Sequence, residues 1–212
     1  SEVSALAVAS DGNTIYALDI PHATPPPVAN PGLWKSSDGG ISWSSKPSQH
    51  LAATSPSPTF PVMDLAVAPD DPELLAVVCL NTAATLRREV YISDDGGTTW
   101  VHSGTIPWVH GGSEQIGAIA ISPGYHRGDR LRHDIIIGSR DPSDGSGAGE
   151  VYILDYPGFG GWKAQGFTTG DIIAVQASPG YSSDFTLVVM SCTTQRTHIS
   201  VSYTHLTLPT KA

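Results

Sequence analysis

An internal repeat of roughly 55 residues runs through the chain and limits its fold more than any other feature. Each unit opens on a short apolar run: LAVAS at Leu6, LAVAP at Leu65, IAISP at Ile119 and VQASP at Val175. Successive starts lie 59, 54 and 56 residues apart. A turn-like stretch follows each, at Asp11, Asp70, Gly124 and Gly180, and the last two share the tetrapeptide SPGY, at 122–125 and 178–181. A second apolar run comes next, beginning at Thr14, Glu73, Asp134 and Phe185. A variable loop leads to a third run at Leu33, Glu89 and Glu150, and an aromatic-led segment at Trp43, Trp100 and Trp162 closes the unit.

These runs are short, rich in Val, Ile and Leu, and bounded by Gly, Pro and Asp, which is the pattern of strands. No window shows a 3.6-residue apolar stripe with helix caps, so no helix is expected. Four sequential antiparallel strands repeated at this period describe the blades of a β-propeller. An immunoglobulin-like sandwich also has many short strands, but it does not repeat its own turn motif. The expected fold is therefore all-β, a propeller fragment of about three and a half four-stranded blades. The blades fall at about 1–47, 62–104, 116–166 and, incomplete, 171–200.

The most specific motif occurs twice. Ser36-Ser37-Asp38-Gly39-Gly40-Ile41-Ser42-Trp43 and Ser93-Asp94-Asp95-Gly96-Gly97-Thr98-Thr99-Trp100 both fit S-x-D-x-G-x-[ST]-W, and they start 57 residues apart. The carboxylates of Asp38 and Asp95 can accept hydrogen bonds from backbone N–H groups a few residues on. Gly40 and Gly97 can take the positive φ that such a hairpin needs. Trp43 and Trp100 offer large apolar faces to bury between sheets. The motif resembles the Asp-box of the BNR-repeat families: sialidases, sortilin-type receptors, xyloglucan-active glycoside hydrolases and photosystem II assembly-factor-like propellers. The resemblance covers essentially residues 1–200. It implies a fold, with the box at the turn between a blade's third and fourth strands and away from catalytic centres. The third unit departs from it: Leu154 to Trp162 keeps glycines and the Trp but loses the Ser-x-Asp-x-Gly spacing.

Composition narrows the partners. Only 15% of residues are charged and the formal net charge is −9, so the basic patch a nucleic-acid ligand requires is missing. No apolar run approaches bilayer length. Cys79 and Cys192 fall in similar apolar runs of different units, which reads as two buried, unpaired thiols. No secretory signal opens the chain, and Ser1 already begins a repeat. Residues 201–212, VSYTHLTLPTKA, lack the box that should follow Ile199. They resemble one reading frame of a transposase adapter from sequencing libraries, so they read as a non-native tail.

In an up-and-down meander the boxes and SPGY turns share one face, and the strand 2–3 loops and blade links share the other. That second face carries the long segments 20–32, 44–61, 81–88, 106–115 and 139–149, where a ligand is expected. Its candidate residues are Arg87, Arg88, Trp108, His110, Glu114, Arg140, Asp141 and Asp144, with His22 beside them. The arginines could supply cations, but no sialidase-like arginine motif or Tyr–Glu pair accompanies them. Glu114 with Asp141 or Asp144 could face each other as hydrolytic carboxylates, and Trp108 with His110 could stack a sugar. The segment 141–150 lacks the spacing of an EF-hand loop, and the eight histidines form no HxH or HxxxH pair. The Pro-rich 23–31 reads as a stiff extended loop. No metal, cofactor or catalytic residue is assigned.

The sequence thus favours a non-catalytic binding or structural module of a secreted or cell-surface microbial protein, with a glycan or protein ligand on the long-loop face. A glycoside hydrolase fragment, sialidase-like or xyloglucanase-like, is the second reading. A photosystem assembly-factor-like propeller is the third. The extracellular placement rests on family analogy.

Overall fold

The Val-, Ile- and Leu-rich runs of each repeat form strands, and the strands pair in chain order into four antiparallel sheets. The computed structural model describes residues 2–20, 32–56, 61–80, 88–110, 114–141, 149–158, 160–167 and 170–203. The first sheet holds β1 (Glu2–Val8), β2 (Ile15–Ile20) and β3 (Leu33–Ser36). Its fourth strand is reduced to a single bridge, Lys35 with Ser44. The second holds β4 (Val62–Val67), β5 (Leu75–Leu80), β6 (Arg88–Ser93) and the short β7 (Val101–His102).

In the third sheet β8 (Gln115–Ile121), β10 (Arg130–Arg140), β11 (Val151–Tyr156) and β12 (Lys163–Ala164) make the meander. There β9 (Tyr125–Arg127) pairs with the start of β10 as an added hairpin. The fourth sheet holds β13 (Asp171–Ala177), β14 (Thr186–Cys192) and β15 (Thr197–Tyr203). The last strand runs three residues into the segment set aside as a tail, with Tyr203 opposite Thr186; residues 204–212 lie outside the described residues. Ser202 stands opposite Leu187 as Ser93 stands opposite Leu75, but Thr204 follows where the box aspartate would be.

Two short helices interrupt the expectation of an all-strand chain. The first, α1 (Lys46–Ala52), has Pro47 in its first turn, where a missing N–H costs nothing. It escaped the periodicity test because seven residues hold too few turns to show a stripe, and Ser45 provides no side-chain cap. Leu51 is fully buried, and the Ser48 hydroxyl accepts from Leu33 N–H (2.8 Å) and donates to its carbonyl (2.6 Å). The second, α2 (Tyr181–Asp184), grows from the second SPGY turn. The first SPGY turn leads instead into β9, so one tetrapeptide enters two structures.

The first strands β1, β4, β8 and β13 lie beside one another in succession. Each carries a bulge at the same register, at Ser4, Met63, Gly117 and Ile173. A bulge bends its strand and raises local twist. Repetition at four equivalent places makes it a feature of the blade. At Gly117 the neighbouring sheet comes so close that a Cβ would lie 2.4 Å from the Ile172 carbonyl oxygen.

Three apolar clusters fill the three junctions between successive sheets. The first joins Tyr16, Leu18 and Leu33 to Leu75, Val77, Tyr91 and Trp100. The second joins Ala76, Val78 and Ile92 to Ile135, Ile137, Tyr152 and Trp162. The third joins Ile136, Val151 and Ile153 to Ile172, Leu187 and Val189. The second and third sheets therefore each bury one face against the preceding sheet and one against the following sheet, as propeller blades do. Trp100 and Trp162 are buried as expected, but Trp43 remains 42% exposed. Among the described residues no other sheet packs over that ring. Cys79 is buried, Cys192 half-buried, and both are free thiols.

Candidate functional site

The two S-x-D-x-G-x-[ST]-W turns have the same internal geometry. Asp38 Oδ1 accepts from Ser42 N–H (2.9 Å) and Oδ2 from its hydroxyl (2.5 Å). Asp95 Oδ1 likewise accepts from Thr98 N–H (3.0 Å) and Thr99 N–H (2.8 Å), and Oδ2 from the Thr99 hydroxyl (2.7 Å). The buried hydroxyls of Ser36 and Ser93 each donate to the aspartate (2.8 Å) and accept from Gly40 or Gly97 N–H. Gly40 and Gly97 have φ of 90° and 89°, a region closed to most side chains. The Ser42 hydroxyl, then its N–H and the Ser36 hydroxyl, hold the Asp38 carboxyl down to about 2. These side chains spend their polar atoms on the turn itself.

The turns at the same end are tied to one another within each sheet and from sheet to sheet. Gly39 N–H donates to Asn13 O, and Gly96 N–H to Glu73 O, each at 2.9 Å. Lys35 reaches Glu73 (3.3 Å), Tyr156 donates to Asp94 (3.0 Å), and Asp70 accepts from Gly124 N–H (2.8 Å) and contacts His133 (3.1 Å). Under these turns the fully buried Asp134 accepts from Tyr125 (2.9 Å) and Tyr181 (2.7 Å), the two SPGY tyrosines. Burial, then the Asp134 charge, pushes the Tyr125 hydroxyl far up. Phe185, in the left-handed region at φ 47°, packs edge-on against both rings.

At the opposite end lie the residues picked out for a ligand. Glu114 is completely buried: Oε1 accepts from the Ser139 (2.5 Å) and Tyr152 (2.8 Å) hydroxyls and Oε2 from His110 N–H (2.9 Å). Trp108 stands edge-on to Tyr152 with centroids 5.6 Å apart, and Val109 N–H donates to the Tyr152 oxygen. Burial first, with Glu114 adding to it, drives the Tyr152 hydroxyl well above its ordinary value. Trp108, His110 and Glu114 thus form one packed corner, in which the His110 Nε2 is shielded and has no hydrogen-bond partner. Asp141 is buried and its N–H donates to Asp171 (2.9 Å).

Another buried carboxylate, Glu150, went unmarked as a site residue in the sequence. Its Oε1 accepts from Val151 N–H (2.7 Å), Phe167 N–H (2.8 Å) and Gln165 N–H (3.3 Å), and Oε2 from Gly166 N–H (3.0 Å). It pins the link that leads into the fourth sheet. The signal that could have found it is the shared EVYI of Glu89 and Glu150, an acidic residue opening an otherwise apolar strand.

Arg88 and Arg140, from adjacent sheets, are brought together. Arg88 donates to the Ile116 carbonyl, and the Nε atoms of both are shielded without a hydrogen-bond partner. Burial, then the Arg140 charge, lowers the Arg88 guanidinium from its usual range, with Asp64 opposing. Burial raises the Asp64 carboxyl, with Leu65 N–H and Arg88 opposing. Among the described residues no carboxylate comes within 4.0 Å of either guanidinium. Arg87, Asp144, His22 and the Pro-rich 23–31 lie outside the described residues. Among those described, no group of three or more His, Cys, Asp and Glu could hold a metal ion, and no helix is long and apolar enough to cross a membrane.

No protein-family model matches the chain, and no curated protein matches it by sequence. By fold it is similar to the structure of YCF48 bound to D1 peptide, at 14% identity and a TM-score of 0.50. That match covers 93% of this chain and 49% of the other. It is similar also to the GH74 xyloglucanase from Xanthomonas campestris, at 18% identity and a TM-score of 0.51, covering 94% of this chain and 28% of the enzyme. The class is a β-propeller, of which the chain spans about half the first structure's length and under a third of the second's.

Proposed function

We propose that this chain is a non-catalytic binding module built as an Asp-box propeller of a secreted or cell-surface protein. It takes a protein ligand on the long-loop end. An acidic group of that ligand lodges between Arg88 and Arg140. The observation that carries this reading is two partly buried guanidiniums, near enough for the Arg140 charge to act on Arg88, with no carboxylate in ion-pair range among the described residues. A carboxylate placed between them relieves their mutual repulsion and fits the planar donor fork of arginine. The peptide held by YCF48, a propeller of similar fold, supports a peptide-class ligand. The hydrolase reading gains nothing from the buried carboxylates: Glu114 and Glu150 both accept hydrogen bonds on each oxygen from protein groups, whereas a facing catalytic pair must meet substrate.

The test is fluorescence anisotropy with a labelled peptide of alternating Glu and Gly, against the same peptide with Gln for Glu. The acidic peptide should bind, weaken with salt, and lose at least about tenfold in affinity in Arg140→Ala. Equal binding of the Gln peptide defeats the proposal. Release of reducing ends from xyloglucan by the purified chain would restore the hydrolase reading.

A further inference from the structure

One connection at the box end is not a short turn. Between the first two strands of a sheet the chain turns tightly in the first and second sheets and forms α2 in the fourth, but in the third it grows into the β9–β10 hairpin. The hairpin pairs Arg127 with Arg130, His126 with Leu131 and Tyr125 with Arg132. Opposed residues point to the same face of a ribbon and neighbours alternate, so Arg127, Arg130, Arg132 and Tyr125 share one face. That face carries more positive charge than the protein neutralises. Asp155 is the one carboxylate within 4.0 Å of these arginines among the described residues: Oδ2 accepts from Arg127 (3.2 Å), and Oδ1 lies 3.5 Å from Arg132 Nη1. Arg132 Nε and Nη1 are shielded without a hydrogen-bond partner. Arg130 is exposed and has no ion pair among the described residues. Like charges placed directly opposite each other, as Arg127 and Arg130 are, destabilise a ribbon until an anion joins them.

At its root the arginine face meets an aromatic wall. A cavity of about 180 Å³ is lined by Tyr125, His126, Arg127 and Phe185. Phe185 is half-buried, stands edge-on to Tyr125 with centroids 5.3 Å apart, and packs on the apolar cluster between the third and fourth sheets. The Tyr125 hydroxyl is taken by Asp134, so this wall offers a ligand ring surface and a guanidinium. Drug-sized sites begin at roughly 300 Å³, and a smaller cavity takes one small ring.

We propose that the β9–β10 hairpin binds an anionic polysaccharide. One uronate or sulfated sugar seats its ring against Phe185 with its acid group on Arg127, and the acid of a neighbouring unit meets Arg130. A guanidinium fork matches the oxygens of a carboxylate or a sulfate, and an aromatic ring covers the apolar face of a sugar. An Asp or Glu side chain would bring the acid without the ring and leave Phe185 unused. Nucleic acid needs a wider basic surface than one hairpin gives in a chain of net charge −9. The hairpin lies at the opposite end of the blades from Arg88 and Arg140, so this site is independent of the ligand proposed there.

The experiment is isothermal titration of the whole chain with oligogalacturonate and with dextran sulfate. Neutral dextran is one comparator. Polyglutamate is the other, tested in Arg140→Ala so that the opposite end is out of play. At least one anionic glycan should bind, weaken as salt is raised, and lose at least about tenfold in affinity in Arg127→Ala and in Arg130→Ala. Which of the two binds tells whether a carboxylate or a sulfate is read. Both arginines are exposed, so circular dichroism should show each variant folded. Nuclear Overhauser contacts should join the sugar ring protons to the Phe185 ring. Arg140→Ala should leave this binding unchanged while weakening the acidic peptide, so each proposal fails separately. Failure of both anionic glycans to bind overturns the proposal. So does equal binding of neutral dextran or polyglutamate, or an affinity indifferent to both arginine substitutions.

Discussion

Glu150→Gln is the sharpest probe of how the third sheet passes its chain to the fourth. The substitution keeps the shape and removes the charge. With the amide oxygen at the Oε1 site, Val151 and Phe167 N–H keep an acceptor, now neutral. Gln165 loses little, because its N–H also donates to Val151 O at 2.9 Å. Gly166 N–H, 3.0 Å from Oε2, would meet an NH₂ group and lose its partner. Two bonds falling from charge-assisted to neutral cost about 1 kcal/mol each, and one stranded donor about 1–3 kcal/mol, so the sum is about 3–5 kcal/mol. Urea unfolding at fixed protein concentration measures it, since any self-association would make stability concentration-dependent. Amide exchange at Gly166 and Phe167 should accelerate more than at Ile136 in the core. A loss under about 1 kcal/mol, with exchange unchanged at Gly166, would refute the view that Glu150 pins the link.

Three further outcomes test other parts of the fold. The Asp38 carboxyl is held down from 3.8 to about 2, so its contribution to stability is present above 3.8 and lost as pH falls toward 2. Carbon-13 titration should find that low value, and Asp38→Asn should flatten this part of the stability profile. Trp100→Ala opens the junction of the first two sheets and should cost about 3–5 kcal/mol in urea unfolding; a loss under about 1 kcal/mol would contradict its burial. Tyr181→Phe removes a donor from the buried Asp134 carboxylate and should cost about 1.5–3 kcal/mol. With Tyr125→Phe the two losses should not add, because both hydroxyls serve one carboxylate; strict additivity in the double-mutant cycle would argue against it.

What the sequence could disclose depended on whether a structural need repeats as a residue type. The box turns were legible because positive φ demands glycine and a turn of this kind demands a short carboxylate, so Asp38, Gly40, Asp95 and Gly97 recur in step. The buried Ser36 and Ser93 were legible for the same reason. The bulges were not, because backbone geometry alone defines them and their residues are Ser, Met, Gly and Ile. Nor was the meeting of the SPGY tyrosines on Asp134, which requires knowing that adjacent blades place those turns together. At the candidate site, Arg88 and Arg140 were chosen as loop cations, and their proximity followed only from the sheet-to-sheet packing. Glu114 was chosen as a reactive carboxylate. Its neighbours in space, Ser139 and Tyr152, are 25 and 38 residues away, and no local pattern announces them.

The two ends of the blades solve different problems with the same chemistry. At the box end, short turns bond within themselves and to the next sheet, through pairs such as Tyr156–Asp94 and Lys35–Glu73. Side chains so engaged have little left to offer a ligand. At the other end the loops are long, and their bases are anchored by buried carboxylates: Glu114 gathers His110 N–H and two hydroxyls, and Glu150 gathers the 165–167 link. A charged acceptor buried among several donors resists displacement more than a neutral one would, because losing any donor strands charge in a low-dielectric interior. Anchors of this strength let the loops above them change length and composition without shifting the sheets below. Arg88 and Arg140 break that rule of full engagement, each with a shielded nitrogen that lacks a partner. Cationic donors left short of acceptors, at the end of the scaffold where the buried carboxylates of Glu114 and Glu150 are spent on anchoring, are where an incoming anion would gain most.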